Sequence, residues 1–318
     1  MKYSTEWRDI VGRLGRWIDF DNDYKTMNIT FMESVWHVFK TIYDRGLVYR
    51  SSKVMPYSTA CNTVLSNFEA GSNYKDDTRD PSVLVTFPLL EDPNVKLVAW
   101  TTTPWTLPSN MALNVHPEFE YVKVKDLKKD QIYVVLAARL EAVAQMAGIT
   151  EFEVLETFKG EALRGKQYEP LYNYYAHMRQ QGCFQVLTAT YVTDKDGTGV
   201  VHSAPAFGEE DFNSCVKAGI VERDKPPCPI DESGRFKAPV TDYEGLYIKV
   251  ADTKIKADLK ERGRLLFMGT IVHSYPFCWR SDTPLIYRAV QSWFIEVTKI
   301  KEQLLENNLK CYWVPESI

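Results

Sequence analysis

Residues 100–110, Trp-Thr-Thr-Thr-Pro-Trp-Thr-Leu-Pro-Ser-Asn, crowd four threonine hydroxyls, a serine hydroxyl and a carboxamide into eleven positions. They follow an apolar run containing Val95, Leu97, Val98 and Ala99, so the hydroxyls of Thr101, Thr102, Thr103 and Thr106 fall where a strand runs out. Pro104 and Pro108 keep the backbone from a regular helix. Such a segment suits a polar pocket that grips a small substrate or a water. The plainer reading is that threonine favours strands and caps helices. A second stretch, Gly197 to Phe212, brings His202, Ala204 and Asp211. A histidine ending a short strand is ordinarily a half-buried residue with one hydrogen-bond partner. Asp211, with Glu209 and Glu210, sits where a helix would start, and acidic residues there are favoured by the helix dipole.

Several chemistries find no residues to carry them. No glycine-rich phosphate loop precedes a helix and no Gly-x-Ser-x-Gly elbow occurs. The six cysteines (61, 183, 215, 228, 278 and 311) include no Cys-x-x-Cys pair, which fits a reducing compartment rather than a disulfide framework. No run of eighteen apolar residues exists to span a membrane, and the first residues lack the apolar centre of a signal peptide. A soluble, cytoplasmic protein is expected. The net charge of −4 gives no global basic field for nucleic acid. Lys123, Lys125, Lys128 and Lys129 form one local cluster, equally readable as a solvated hairpin.

The elements that must position these residues follow from periodicity. Apolar residues at three- and four-residue steps predict a helix over 26–46 ended by Gly46, after a possible apolar stripe in Trp7–Phe20. Residues 47–66 read as extended and irregular, and 70–82 as a solvated loop. Short branched-residue runs predict strands at 83–87, 95–101, 121–124, 132–136, 152–158, 184–193, 199–202 and 246–250. Helices are expected at 140–146, 209–219 and 251–262, and Asp196-Gly197 is a hairpin signal. With 318 residues and 45% apolar content a sizeable core is available. The fold expected is α+β: a mixed, β-barrel-like core over 83–269, with helical and extended connections at 1–82 and 270–318.

Together the two polar stretches resemble the editing insertion of isoleucyl-tRNA synthetases. The signature there is Trp-Thr-Thr-Thr-Pro-Trp-Thr-Leu-Pro followed by an Asn, then a Gly-Thr-Gly, His and Asp block. The related valine enzyme typically has Thr-Thr-Arg-Pro-Glu-Thr at the first motif and Lys at the position of His202. The leucine enzyme has Arg-Pro-Glu-Thr, so Trp105 points to the isoleucine branch. Residues 14–20, 54–57, 273–280 and 293–294 resemble the paths between this insertion and the synthetic core, so the likeness covers nearly the whole chain. The chain then reads as a piece of a longer enzyme.

The resemblance implies hydrolysis of mischarged Val-tRNA(Ile), with Thr101, Thr102, Thr103 and Asp211 as catalytic residues. Thr106, Asn110, His202 and Ala204 would bind substrate. His202 would limit the side chain admitted, and Asp211 would meet the α-ammonium of the aminoacyl ester. Partners would be the tRNA acceptor end with its terminal adenosine and the rest of the synthetase. ATP and Mg belong to the parent enzyme, and no cofactor is expected in this piece. The alternative is a non-catalytic tRNA-contacting insertion with a decayed pocket. An editing step is needed because one methylene discriminates by only about 1–3 kcal/mol in an apolar pocket, a limit for which isoleucyl-tRNA synthetase is itself the standard example. Bacterial relatives carry a zinc knuckle as paired Cys-x-x-Cys where this chain has Ser58, Cys61, Cys278 and Ser281. Two thiols and two serines make a poor zinc site, and no metal is expected.

Overall fold

The computed structural model describes residues 2–315. Two compact units are present, residues 51–292 and residues 1–50 with 293–318. Helices α1 (Lys2–Arg13) and α2 (Ile29–Asp44) open the chain. Gly46 follows α2 with φ +68°, a conformation that glycine adopts without steric cost. The apolar stripe that predicts α2 is real but uncovered: Ile29, Trp36, Phe39 and Tyr43 are all exposed.

The larger unit begins within β1 (Val48–Ser58), which pairs with the short β2 (Thr63–Val64). Helix α3 (Asn67–Gly71) is started by a capping box between Ser66 and Glu69. Then follow β3 (Tyr74–Pro88), β4 (Val95–Thr101), β5 (Ala112–Val115), β6 (Glu120–Asp126) and β7 (Gln131–Leu136). Helix α4 (Leu140–Ala147), β8 (Phe152–Lys159), β9 (Gln185–Thr188), β10 (Val200–Ser203) and α5 (Glu209–Lys217) come next. The chain continues through α6 (Ile248–Glu261), β11 (Leu265–Pro276), β12 (Ile286–Ile295) and α7 (Lys301–Leu309).

One six-stranded sheet runs in the order β11-β3-β4-β7-β6-β8, and a three-stranded sheet in the order β10-β5-β9. The expected α+β class is present. Among the described residues the larger sheet does not close on itself, so the β core is open rather than a barrel. Its alternation explains the burial. Along β3, Val83, Val85 and Phe87 enter the main core while Leu84 enters a second core under α4, with Val143 and Ala144. Strand β4 divides the same way, Val95, Leu97 and Ala99 against Val98, so both faces of these central strands are covered.

Four expectations are corrected. Residues 70–82 are not a solvated loop; from Tyr74 they are the first half of β3, paired with β11 from Tyr74↔Pro276 to Asp80↔Ile271. The polar residues are tolerated because Asp80 receives Lys249 Nζ at 2.6 Å and His273 Nε2 at 3.1 Å. That long ladder also carries the compact unit beyond 83–269 in both directions. Residues 246–250 form no strand, since α6 already starts at Ile248, whose side chain is fully buried with Ala251 and Ile255. The strand expected at 184–193 stops at Thr188. Asp196-Gly197 makes a turn, with Gly197 at φ +69°, but no hairpin: β9 and β10 lie on opposite sides of β5, one parallel and one antiparallel to it.

The lysine cluster at 123–129 is largely neutralised. Lys123 meets Glu156 at 2.6 Å, Lys125 meets Asp130 at 2.7 Å and Lys128 meets Glu151 at 3.3 Å.

Candidate functional site

Strand β4 ends at Thr101, and Pro104 starts a 3-10 turn over Pro104–Ser109. The threonine hydroxyls hold this junction. Thr101 Oγ1 accepts the Thr103 N–H at 3.1 Å, and Thr106 Oγ1 donates to the Thr103 carbonyl at 2.8 Å. Past the turn, the Met111 N–H donates to Ser203 O at 3.0 Å, tying this segment to β10. In the β5–β10 ladder His202 lies opposite Leu113, and its side chain is turned into the protein.

The His202 ring has both nitrogens engaged. Nδ1 lies 2.9 Å from Asn110 Nδ2, which can only donate, and Nε2 lies 3.0 Å from Thr106 Oγ1. Because the Thr106 proton goes to Thr103 O, its oxygen accepts, so the network assigns the ring proton to Nε2. Asn110 is oriented in turn: Nδ2 also donates to Ala112 O at 3.0 Å, and Oδ1 accepts from the hydroxyl of the fully buried Tyr168 at 2.8 Å. Burial pushes the imidazole pKa down to about 3, so the ring is neutral at physiological pH. A ring with no free lone pair and so low a basicity is not equipped to act as a general base.

Asp211 is the third residue of α5. Its Oδ2 accepts the Ala204 N–H at 3.0 Å, and its Oδ1 accepts a longer bond from Tyr191 OH at 3.4 Å. Burial raises its pKa to about 6, against the lowering effect of the hydrogen bonds from Ala204 and Tyr191. Gly208, the residue before the helix, leaves the room this carboxylate uses, for a Cβ there would lie 2.7 Å from Oδ2. Ser214 Oγ donates to Asn114 Oδ1 at 2.8 Å and Asn114 Nδ2 donates to Ser203 Oγ at 2.5 Å, which fixes α5 against β5 and β10.

A cleft of about 340 Å³ opens beside these groups, within the size range of small-ligand sites. Thr101, Thr102 and His202 line it, together with Trp100, Tyr191 and the 196–201 segment. Of the other expected residues, Thr103, Thr106 and Asn110 form the hydrogen-bonded layer behind His202 and Thr101. Ala204 and Asp211 do not line the cleft directly; Tyr191, which does, connects them to it. Two residues of this arrangement, Tyr168 and Tyr191, were not singled out from sequence. Their hydroxyls meet Asn110 and Asp211 across 58 and 20 residues of chain, contacts that local sequence pattern does not show.

No lysine or arginine lines the cleft, which does not suit a nucleoside triphosphate. Among the described residues, no group of three or more His, Cys, Asp or Glu side chains is placed to hold a metal.

A family model described as class I tRNA synthetases (I, L, M and V) matches residues 1–318. The chain belongs to this family. This class I synthetase chain is 57% identical to the cytoplasmic isoleucine–tRNA ligase of mouse, over all of its own length and 25% of that protein. It is 54% identical to the isoleucine–tRNA ligase of Tetrahymena thermophila, over 99% of its length and 29% of that protein. With the cytoplasmic enzyme of Saccharomyces cerevisiae it shares 49%, over 100% and 30%. The chain thus spans about a quarter to a third of the curated relatives it matches. Among solved structures, the editing domain of the cytosolic leucyl-tRNA synthetase from P. knowlesi is 12% identical at a TM-score of 0.44, covering 63% of this chain and 98% of that one.

Proposed function

We propose that this chain is the editing insertion of an isoleucyl-tRNA synthetase and that it hydrolyses the aminoacyl ester of mischarged Val-tRNA(Ile). The parent enzyme would ligate isoleucine to tRNA(Ile) with ATP and Mg, in the cytoplasm. The observation that carries the editing reading is His202, a buried neutral imidazole pinned through both nitrogens at the wall of a small cleft. A fixed wall can refuse a side chain one methylene too long, where a mobile one would yield.

In this reading the terminal adenosine of the tRNA enters the cleft, and the substrate ammonium displaces the long Tyr191 contact to reach the Asp211 carboxylate that lies behind the cleft wall. Thr101, Thr102 and Thr103 orient the ester and the attacking water, and neighbouring N–H groups stabilise charge on the carbonyl oxygen. Water oxygen bonds to the acyl carbon, the ester C–O bond breaks, and the water proton passes to the ribose oxygen. Valine and free tRNA leave. An aminoacyl ester is already activated, so no covalent intermediate is needed. Thr106 and Asn110 act through His202, and Ala204 through the N–H it gives to Asp211.

The test is deacylation of Val-tRNA(Ile) and Ile-tRNA(Ile) by the chain and by the whole enzyme. Release of valine well above that of isoleucine is expected. Equal rates would remove the size-sieve role of His202, and no turnover by the whole enzyme would leave a non-catalytic tRNA-contacting insertion.

A further inference from the structure

Away from the cleft, the fold gathers two thiols 217 residues apart in sequence. Cys61 lies in the turn between β1 and β2, and Cys278 in the turn that follows β11. Their Sγ atoms are 4.0 Å apart. The two differ in access, since Cys61 is exposed and Cys278 fully buried. Ser58 and Ser281 flank them. The Cys61 N–H donates to Ser58 Oγ at 3.2 Å, and Ser281 Oγ is 2.9 Å from Thr283 Oγ1. Around Cys278 the backbone is pinned, its N–H donating to Thr283 O and its carbonyl accepting from Asp282 N, both at 2.8 Å. The remaining cysteines are not part of this pair; Cys183 and Cys215 sit in the main core.

We propose that Cys61 and Cys278 form a dithiol site that a peroxide oxidises to an intramolecular disulfide. The exposed Cys61 meets the oxidant: its thiolate sulfur attacks one peroxide oxygen, the O–O bond breaks, and Cys61 becomes a sulfenic acid as hydroxide leaves. The Cys278 thiolate then attacks the Cys61 sulfur, forms the S–S bond and displaces hydroxide. Two thiols are oxidised, one peroxide is reduced, and the two thiol protons end in two waters. The site favours the second step. Cys278 sits on a turn whose backbone is pinned at both its N–H and its carbonyl, which keeps its sulfur beside Cys61. Forming the bond closes the 4.0 Å separation to about 2.05 Å, and both sulfurs are carried by turn residues. The bond would clasp the β1–β2 turn to the end of β11, joining the beginning and end of the larger unit.

The experiment is peroxide titration of the purified chain, with thiol counting and peptide mass mapping under non-reducing conditions. Of six free thiols, two are expected to disappear per chain, with a linked Cys61–Cys278 peptide that dithiothreitol reverses. In Cys61→Ser, Cys278 should remain reduced under the same treatment. Sulfinic acid at Cys61 beside an intact Cys278 thiol would overturn the proposal. So would linkage of either cysteine elsewhere, or a stoichiometric metal in the untreated protein that protects both thiols. The wild-type readout alone decides the matter if the variant fails to fold.

Discussion

Replacing Asp211 by asparagine should stabilise the protein at neutral pH while removing the proposed hydrolytic activity. Burial lifts this carboxyl from 3.8 to about 6. Between those values the unfolded chain has lost a proton that the folded chain still holds, so folding stability falls as pH rises. The penalty is absent well below pH 3.8 and complete above about pH 6. A shift of roughly two units corresponds to about 3 kcal/mol, an upper figure because the residue keeps some contact with solvent. The same linkage gives a cost of about 1 kcal/mol at pH 4.5, so Asp211→Asn should gain about 2 kcal/mol on wild type between pH 4.5 and 7.5. Asparagine keeps the shape, and its Oδ1 can still accept the Ala204 N–H. Urea unfolding of both proteins at the two pH values measures the difference. A variant no more stable than wild type at pH 7.5, or an offset that does not change with pH, would refute the reasoning. Deacylation supplies the second half. Wild-type valine release should rise with pH through about 6 as the carboxylate forms, and the variant should stay low throughout.

Asn110→Ala orphans both Tyr168 OH and His202 Nδ1. At about 1–3 kcal/mol for each buried unpaired group, chemical denaturation should show a loss of about 2–6 kcal/mol, and the ¹⁵N shifts of the His202 ring should leave those of a single Nε2–H tautomer. Gly199→Ala meets two obstacles, a φ of +77° and a Cβ placed 2.4 Å from Leu136 Cβ. A cost of about 2–4 kcal/mol is expected, read as a lowered thermal midpoint, while unchanged stability would mean that the cleft rim is free to move.

Strands built on short runs of branched and apolar residues were legible from sequence. Val95–Thr101 stands as β4 with the predicted bounds, and the helices at 140–146 and 209–219 are close to α4 and α5 because Gly148 and Gly219 mark their ends at positive φ. What local pattern could not supply was pairing. Asp76, Asp77 and Asp80 read as loop residues until β11 is laid beside them and Lys249 is brought to Asp80 from α6. Likewise Asp196-Gly197 has hairpin chemistry, yet β10 pairs with β5 instead. For the site, sequence marked the chemically distinctive residues and missed their supports. The roles of Thr106 and Asn110 as ring-holders, and of Tyr168 and Tyr191, depend on contacts across 20 to 96 residues of chain.

The two halves of the site are built to different tolerances, and this bears on how they divide the work. His202 is held by bonds of 2.9 and 3.0 Å, and its holder Asn110 spends its carbonyl oxygen on Tyr168 and both amide protons on Ala112 and His202. Every donor in that chain of contacts is engaged, so the ring position is tightly held. That is what separating side chains by one methylene demands, since a displacement of a few tenths of an ångström forfeits much of the available contact energy. Asp211 is the opposite case. A carboxylate offers about four lone-pair sites, and here one N–H at 3.0 Å, one phenol at 3.4 Å and the Ser203 hydroxyl take up part of them. The remaining capacity, with a pKa near 6, is what a group needs if it is to be completed by a cation arriving with the substrate. An ammonium docked there should lower that pKa and recover part of the burial cost, so substrate binding itself would stabilise the protein most strongly above pH 6. A non-hydrolysable aminoacyl-adenosine analogue bearing a free amine should therefore raise the thermal midpoint more at pH 7.5 than at pH 5, and its N-acetylated form should show no such difference.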